Sequence, residues 1–287
     1  MEKPSRPRIA VVTDSAADLP PGLIEKYGIE VVPLILIMGA RSWRDRVDIS
    51  PAAFYELLKV SRDYPKTSQP NSATFQELFS RLSTQAEGIV VALVSKELSG
   101  TFASAQAAKE SLPQVPIEVV DTRGVSMMEG YAVLAAAQAA AAGADLQGVA
   151  NAARDMAGKC HVYFIIDTFE YISRGGRIGA AARLLGSALN IKPVLEIRNG
   201  IASPAGQART RRKALNKVIE LLEGQLTPGS SIHMTVVNVA APQEALELKA
   251  ELLERFHPVE ILETDVSPVL GAHVGPGTVG VAYYIEA

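Results

Sequence analysis

Three consecutive small residues, Ser99, Gly100 and Thr101, stand between an apolar run and an alanine-rich segment. Hydroxyl groups at the start of a helix meet free backbone N–H groups and the positive end of the helix dipole, a combination that can hold an anion such as a carboxylate. Serine and threonine are also common helix N-caps, and on these residues alone the cap is the better supported interpretation. The corner therefore has a binding and a structural interpretation.

Two other segments have related chemistry. Residues 67–72 read TSQPNS, a second group of hydroxyls and turn formers ahead of a predicted helix. His273 stands in the glycine-rich segment GAHVGPG, where a histidine can serve a site or can simply be a structural residue. The other histidines are scattered, and SRGGRIG at 173–179 lacks both nucleotide-binding glycine patterns. The sequence predicts neither a metal nor a cofactor.

The first half of the chain alternates apolar strands with helices. Continuous apolar runs are typical of strands covered on both faces, so this half is predicted to form an α/β domain around a doubly wound, mostly parallel sheet. Ligands of such sheets bind beyond the carboxyl ends of the strands, and the two hydroxyl-rich turns would share that crevice if their strands belong to one sheet. The predicted strands are 9–13, 29–38, 89–94 and 117–120; 41–50 is a loop; and the helices lie before Gly28 and at 52–60, 74–85, from 102, and 127–142.

The pattern changes near residue 158. Asn199-Gly200 between two short strands is a strong hairpin signal, so the second half is predicted to be a two-layer α+β domain with a mixed sheet. The predicted domains are 1–158 and 159–287, with a ligand between them. The predicted strands are 160–166, 193–198, 201–205, 233–238, 260–264 and 279–285; the helices are 180–189, 211–225 and 243–256.

Composition limits the classes of partner. The chain has 287 residues, 48% of them hydrophobic, and a formal net charge of -3, which gives no electrostatic footprint for nucleic acid. The single cysteine, Cys160, fits a reducing compartment. The segment 131–144 is mostly alanine and shorter than a membrane span, and the run at 9–13 is too short for a signal peptide. We expect a cytoplasmic protein without stable membrane insertion.

Six motifs together resemble the DegV family of fatty-acid-binding proteins. Each is weak alone, but all six occur in the same order over nearly the whole chain. They are VVTDSAADLP at 11–20, TSQP at 67–70, LSGTF at 98–102, FEYISRGGRIG at 169–179, LNIKPVL at 189–195 and AHVGPGTVG at 272–280.

The resemblance implies a binding protein, not an enzyme. It implies two α/β domains that hold a long-chain fatty acid in a buried tunnel and present its carboxylate to a separate fatty acid kinase subunit, which forms an acyl phosphate. By the same resemblance, the carboxylate contacts are Thr67, Ser99 and His273; the residues that shape the pocket are Ser68, Gly100 and Thr101; and those that face the partner are Arg177 and Arg209. The chain departs from the family pattern at Asn71, where serine is common, and at Phe102, where tyrosine is common.

Other interpretations remain open at this point. Ser99 and His273 could serve a serine esterase, although Ser99 lacks the G-x-S-x-G context and no acid evidently orients the histidine. The pocket could also carry another lipid or hydrophobic anion. Arg177, in a glycine-rich loop, could be an ordinary solvated residue.

Overall fold

The structure, a computed structural model, describes residues 8–184, 191–227 and 229–286. Strands and helices alternate along most of this length. In chain order the strands are β1 (Ile9–Asp14), β2 (Glu30–Val32), β3 (Ile35–Met38), β4 (Arg41–Arg44), β5 (Lys66–Ser68), β6 (Gly88–Leu93), β7 (Ile117–Asp121), β8 (His161–Ile165), β9 (Lys192–Arg198), β10 (Ile201–Ala208), β11 (Ser231–Asn238), β12 (Glu260–Asp265) and β13 (Val279–Glu286). The helices are α1 (Pro21–Tyr27), α2 (Pro51–Val60), α3 (Ser72–Ser83), α4 (Thr101–Glu110), α5 (Met127–Ala141), α6 (Leu146–Ala157), α7 (Glu170–Arg174), α8 (Arg211–Glu223), α9 (Pro242–Phe256) and α10 (Pro268–Val274).

A parallel sheet organises the first half of the chain. Its four strands have the order β2-β1-β6-β7. Every residue of β1 and β6 is buried, as the continuous apolar runs predict. Phe75 and Phe79 of α3 pack on one face of the sheet, and Met127 and Val133 of α5 belong to the core on the other. The predicted α/β architecture is confirmed.

A mixed sheet organises the second half. Its six strands have the order β10-β9-β8-β13-β11-β12, and β11 and β12 are parallel while the other neighbours are antiparallel. The predicted hairpin joins β9 and β10. Asn199 and Gly200 have φ of 54° and 82°, the positive values that the turn of a two-residue hairpin requires. The predicted mixed sheet is confirmed.

Alternate residues of β8 show how the two halves pack. Tyr163 and Ile165 belong to the core under α8 and α9, whereas Val162 and Phe164 belong to the core that contains α5. Helix α5 therefore lies between the two sheets. One face of the mixed sheet packs against α5, so the two halves have a common core there. The domain boundary predicted at residue 158 lies in the link between α6 and β8, and it stays a prediction.

The prediction of one strand over 29–38 is wrong. The run divides at Pro33, which has no N–H for a ladder, so β2 joins the parallel sheet while β3 forms a separate antiparallel sheet of order β4-β3-β5. The loop predicted over 41–50 contains β4, which pairs with β3 across a tight turn at Gly39, where φ is 60°. Thr67 lies on β5, so the two hydroxyl-rich turns do not follow strands of the same sheet.

Three helices have no counterpart in the sequence prediction. Helix α6 is capped by Asp145, which accepts from the N–H of Gly148, and α10 by Ser267; both helices are rich in small residues, and α10 has only seven residues. Helix α7 occupies the start of the predicted glycine loop. In place of the helix predicted over 180–189, a 3₁₀ helix spans Gly179–Leu184, and 185–189 lie outside the described residues.

Several acidic side chains are buried near the end of β1. Asp14 and Glu129 are fully buried, and Asp45 is 1% exposed. Asp14 accepts two backbone hydrogen bonds, whereas within the described residues neither carboxylate oxygen of Asp45 has a hydrogen bond of normal geometry, and weaker interactions with Ser15 and the Val269 backbone act on it. Burial raises the pKa of Asp14 and of Asp45 to about 7. The folded protein therefore holds protons that the unfolded chain releases near pH 4.

We predict that Asp45→Asn stabilises the protein at pH 8. The pKa of Asp45 is higher in the folded protein than in the unfolded chain, so its contribution to the free energy of unfolding is fully present below the unfolded pKa and is lost as the pH rises through about 7. Asparagine does not titrate, so the variant does not lose this contribution. The gain in the free energy of unfolding should be about 2 to 4 kcal/mol at pH 8 and near zero at pH 4, measured by urea denaturation.

Asp48→Asn is the matched control. Asp48 is exposed, and hydrogen bonds from Arg44 lower its pKa to about 2, so its contribution has the opposite sign and disappears only in acid. Equal unfolding free energies for Asp45→Asn and the unmodified protein at pH 8 would contradict the prediction.

Candidate functional site

A cavity opens between the two halves of the chain. It encloses about 720 Å³ of empty space when its open mouth is included. Most of its lining is apolar, with Val94 at the end of β6, Phe164 and Ile197 from the mixed sheet, and Leu270 from α10. The polar lining residues are Thr67, Ser68, Gln69, Ser99, Arg177 and His273.

The hydroxyl corner forms one part of the polar lining. Ser99 Oγ lies 2.8 Å from Thr101 Oγ1 and accepts from the Thr101 N–H at 3.3 Å, while Gly100 is the N-cap residue of α4. When the Thr101 hydroxyl donates to Ser99, both acceptor positions of Ser99 are filled and its own hydrogen is free to donate. Thr101 is fully buried and does not line the cavity, so it supports Ser99 from behind.

The second part joins strand β5 to helix α10. Thr67 Oγ1 lies 2.8 Å from His273 Nε2. If Nε2 carries the ring proton it donates to Thr67, which leaves the threonine hydroxyl able to donate into the cavity. Burial, with a smaller effect from Arg177, lowers the pKa of His273 to about 4. His273 is therefore neutral at pH 7.

Gly175 closes the other side of the imidazole. His273 Nδ1 is buried, and none of the described residues forms a hydrogen bond with it. A Cβ built on Gly175 would lie 2.2 Å from that nitrogen, so only glycine permits the ring to sit there. The approach of backbone to ring fixes the orientation of His273 toward Thr67.

Arg177 stands at the mouth, where the two halves meet. Its guanidinium donates to the carbonyl of Leu98 at 3.1 Å and to the carbonyl of Gly175 at 2.7 Å. The side chain is exposed and also borders a shallow basin outside the mouth that includes Lys96. Part of the guanidinium is thus used to join the halves, and the rest faces solvent.

The remaining predicted site residues are placed differently. Ser68 lines the cavity, and its hydroxyl donates to the carbonyl of Gln69 at 3.3 Å. Gly100 borders the outer basin instead of the cavity. Arg209 is exposed at the end of β10, whereas Ala202 lines the cavity near the other end of that strand. The structure does not bring Arg209 to the mouth, and its role stays a prediction.

Sequence reasoning missed Gln69 and Gly175. Gln69 lies within the TSQP motif. A Cβ built on Gly100 would lie 2.9 Å from the Gln69 amide nitrogen, so this side chain stands beside the hydroxyl corner. The two departures from the family pattern do not reach the cavity. Asn71 caps α3, accepting from the N–H of Thr74 at 2.8 Å, and Phe102 is a half-buried residue of α4.

The geometry is suited to holding an acceptor group. Hydroxyls and a neutral imidazole line one apolar space. With Nε2–H donating to Thr67, the hydroxyls of Thr67 and Ser99 can each donate a hydrogen bond to a carboxylate oxygen, and the imidazole orients the Thr67 hydroxyl. The imidazole engages Thr67 and not Ser99, so the site lacks the nucleophile and base contact of a serine hydrolase. Across the described ranges, no cluster of acidic, histidine or cysteine side chains is placed to hold a metal ion.

We predict that Gly175→Ala displaces His273. The new methyl group would overlap Nδ1, so the ring must move away from Thr67 and its NMR signals should change. Gly22→Ala is the matched control, because a Cβ there meets nothing within 4 Å. Unchanged His273 ring signals in Gly175→Ala, recorded on histidine-labelled protein, would contradict this packing.

Known proteins resemble the chain over nearly its full length. The model of the DegV family, described as uncharacterised proteins, matches residues 8–286. A DegV domain-containing protein of Streptomyces coelicolor is 38% identical over 275 residues, which cover 95% of this chain and 97% of that relative. The described helices include none that is both long and apolar enough to span a bilayer.

Solved structures give the same result. A DegV family protein from Thermus thermophilus, described by its fatty acid binding, superposes with a TM-score of 0.92 at 31% identity over 97% of this chain and 100% of that one. DegV of Bacillus subtilis, described as a fatty acid binding protein, superposes with a TM-score of 0.90 at 28% identity over 97% of this chain and 99% of that one. Sequence, fold and the order of the motifs agree, and the chain belongs to the DegV family.

Proposed function

We propose that the cavity binds a long-chain fatty acid, with its carboxylate at Thr67, Ser99 and His273 and its tail along the apolar walls. The observation that carries this proposal is the division of the lining: the hydroxyls and the imidazole lie together, and the rest of the wall is almost entirely apolar. The fatty acid binding described for the Thermus thermophilus and Bacillus subtilis proteins supports the same class of ligand.

The tail supplies most of the affinity. A palmitate tail has about 14 methylenes, and at about 0.8 kcal/mol for each buried methylene its burial offers on the order of 10 kcal/mol before the costs of binding. The shared core of the two halves provides the surface for this burial on Phe164, Ile197 and Val125.

The polar end fixes orientation. Each hydrogen bond to a charged carboxylate contributes about 1.5 to 3 kcal/mol, partly offset by removing the carboxylate from water. In the empty cavity burial keeps His273 neutral, so the site offers the head group hydrogen bonds from uncharged side chains. Arg177, which is exposed, lines the same cavity as these groups, so the carboxylate is held on the side of the mouth.

The bound acid is presented to a separate kinase subunit, whose nucleotide phosphorylates the carboxylate to an acyl phosphate. Support comes from the mouth itself: Arg177 is exposed there, and the basin outside it is lined by Lys96 and Glu97, whose charges oppose each other, so the guanidinium is the cationic group that the mouth offers a partner. A planar guanidinium suits a phosphate or an acidic partner surface. This protein binds and orients the acid, and the partner performs the phosphoryl transfer.

The esterase alternative receives no support from the contacts. Ser99 pairs with Thr101, and His273 pairs with Thr67 and has no acid on Nδ1. A carrier of another hydrophobic anion would use the same contacts, so identification of the lipid released from purified protein on denaturation distinguishes the two. A protein that stays empty when offered fatty acids would overturn the proposal.

We predict that Ser99→Ala reduces the preference for a fatty acid over the alcohol of the same chain length. Loss of one hydrogen bond to a charged group should weaken acid binding by about 10- to 100-fold, while alcohol binding changes little because the tail contacts are intact. Calorimetric titration with palmitate and hexadecanol measures both affinities.

Ser104→Ala provides the matched control. Ser104 is a half-buried hydroxyl residue of α4, the helix that follows Ser99, and it does not line the cavity, so its removal should leave both affinities unchanged. Equal weakening of acid and alcohol in Ser99→Ala would argue against a head group at Ser99.

We predict that Arg177→Ala leaves fatty acid affinity within about threefold and lowers acyl phosphate formation by the kinase about tenfold or more, because the exposed guanidinium serves the partner and not the tail. The readout is turnover of the bound acid with the cognate kinase and ATP. Arg174→Ala is the control: Arg174 is exposed nearby but pairs with Glu170 and lies over the Tyr64 ring. Unchanged turnover in Arg177→Ala would remove the partner role.

A further inference from the structure

Helix α10 carries His273 in its last turn, and its first turn is fixed by the first half of the chain. Its N-cap residue, Ser267, is fully buried, and the Ser267 N–H donates to Asp18 Oδ1 at 2.8 Å. The Thr264 hydroxyl donates to the backbone carbonyl of Asp18 at 3.0 Å. The segment before α10 therefore makes two hydrogen bonds to Asp18, which lies shortly after β1.

Asp18 is itself held by groups from other loops. Arg46 pairs with its carboxylate at 3.1 Å and also donates to the carbonyl of Asp265, and the Ser126 hydroxyl donates to Oδ2 at 2.7 Å. Burial raises the pKa of Asp18, while Arg46 and the hydrogen bonds from Ser126 and Ser267 act against that rise. These donors fix the carboxylate in position.

Tyr55 of α2 forms a second anchor. Its buried hydroxyl donates to the carbonyl of Val266 at 2.8 Å. The ring also lies against α10 at Gly271, where a Cβ would come within 2.3 Å of the hydroxyl oxygen. The lack of a side chain at 271 lets α2 hold the middle of the helix.

The anchors and the imidazole lie at opposite ends of one short rigid element. At 1.5 Å per residue, α10 is about 10 Å long, so a shift of its first turn must move its last turn. There the imidazole has little room, with Thr67 Oγ1 at 2.8 Å from Nε2 and Gly175 against Nδ1. A small displacement is enough to break the bond to Thr67.

We propose that Asp18 and Tyr55 are positioning residues of the head-group site, fixing the start and middle of α10 and through that helix the place of His273. Neither residue lines the cavity, so both act through α10 and not on a ligand. The inference rests on the proposed function, because it assigns these residues to the site that would hold the carboxylate.

The test follows the His273 ring by NMR in histidine-labelled protein, together with palmitate affinity. The chain has four histidines, which single substitutions assign. In the unmodified protein His273 should titrate near pH 4, because it is buried. In Asp18→Ala the loosened helix admits water, so the midpoint should rise by about 1 unit or more toward the ordinary value, and palmitate affinity should fall about tenfold or more.

Two further variants make the test independent of folding failure. Asp18→Asn retains an oxygen that can accept from Ser267, so it should recover most of the low His273 midpoint. Tyr55→Phe removes only the hydroxyl that bonds Val266, and it should raise the midpoint and weaken palmitate binding in the same direction by smaller amounts.

The controls are substitutions of comparable kind on the far face of the mixed sheet. Val218→Ala opens a cavity under α8, and Tyr283→Phe removes a buried tyrosine hydroxyl from that core. A general loss of stability would affect these variants too, whereas the His273 midpoint should move only in the Asp18 and Tyr55 variants. Thermal denaturation measures how far each variant is destabilised.

The outcomes separate the two proposals. An unchanged midpoint in both Tyr55→Phe and folded Asp18 variants, or equal shifts in the controls, overturns the positioning role whatever the ligand. Failure of the unmodified protein to bind palmitate overturns the proposed function, while the titration still decides whether Asp18 and Tyr55 position His273.

Discussion

The polar end of the cavity depends on one hydrogen bond between distant parts of the chain. Thr67, on the small antiparallel sheet, and His273, on α10, are 206 residues apart in sequence and meet at 2.8 Å. Because the imidazole is buried and neutral at pH 7, this bond joins two uncharged groups. It therefore persists only while both elements are held in register by contacts elsewhere, and those contacts are made at the junction of the two halves.

That junction combines two kinds of contact with different consequences. The shared core around α5 is apolar and non-directional, and it brings the sheets together without specifying fine position. Directional bonds supply the position: Ser95 Oγ donates to the carbonyl of Gly200 at 2.8 Å, and Tyr131 Oη lies 2.7 Å from Thr235 Oγ1. A narrow binding space between two halves needs both, because apolar packing alone tolerates small sliding.

The sequence predicts the two sheets well and the site only partly, for a physical reason. Strands such as β6 are buried on both faces, so hydrophobicity alone reports them, and the Asn199-Gly200 turn is local chemistry. The division of 29–38 at Pro33 depends on which partner each piece finds, and pairing partners are not local. The condition that the strands before Thr67 and Ser99 belong to one sheet, which the structure does not meet, also depends on pairing that is not local. Their common cavity arises because different sheets converge.

The family motifs identified the polar lining better than periodicity did. Ser99, Thr67 and His273 belong to short polar segments whose resemblance is visible without a fold, and all three line the cavity. Gly175 could not be assigned from the sequence. It matters because it has no side chain where the His273 ring packs, and that ring lies on α10, a helix the sequence did not predict.

The buried acidic side chains near β1 affect the stability of the folded protein. Asp45 has no hydrogen bond of normal geometry, and its raised pKa means that the folded state carries it at a penalty near neutral pH. A core optimised for stability alone would replace such a group with an apolar one. Asp18 has comparable burial but makes hydrogen bonds with Arg46, Ser126 and Ser267, so its carboxyl group orients the segments around it. The difference between these two neighbours separates a carboxylate that specifies geometry from one that mainly lowers stability.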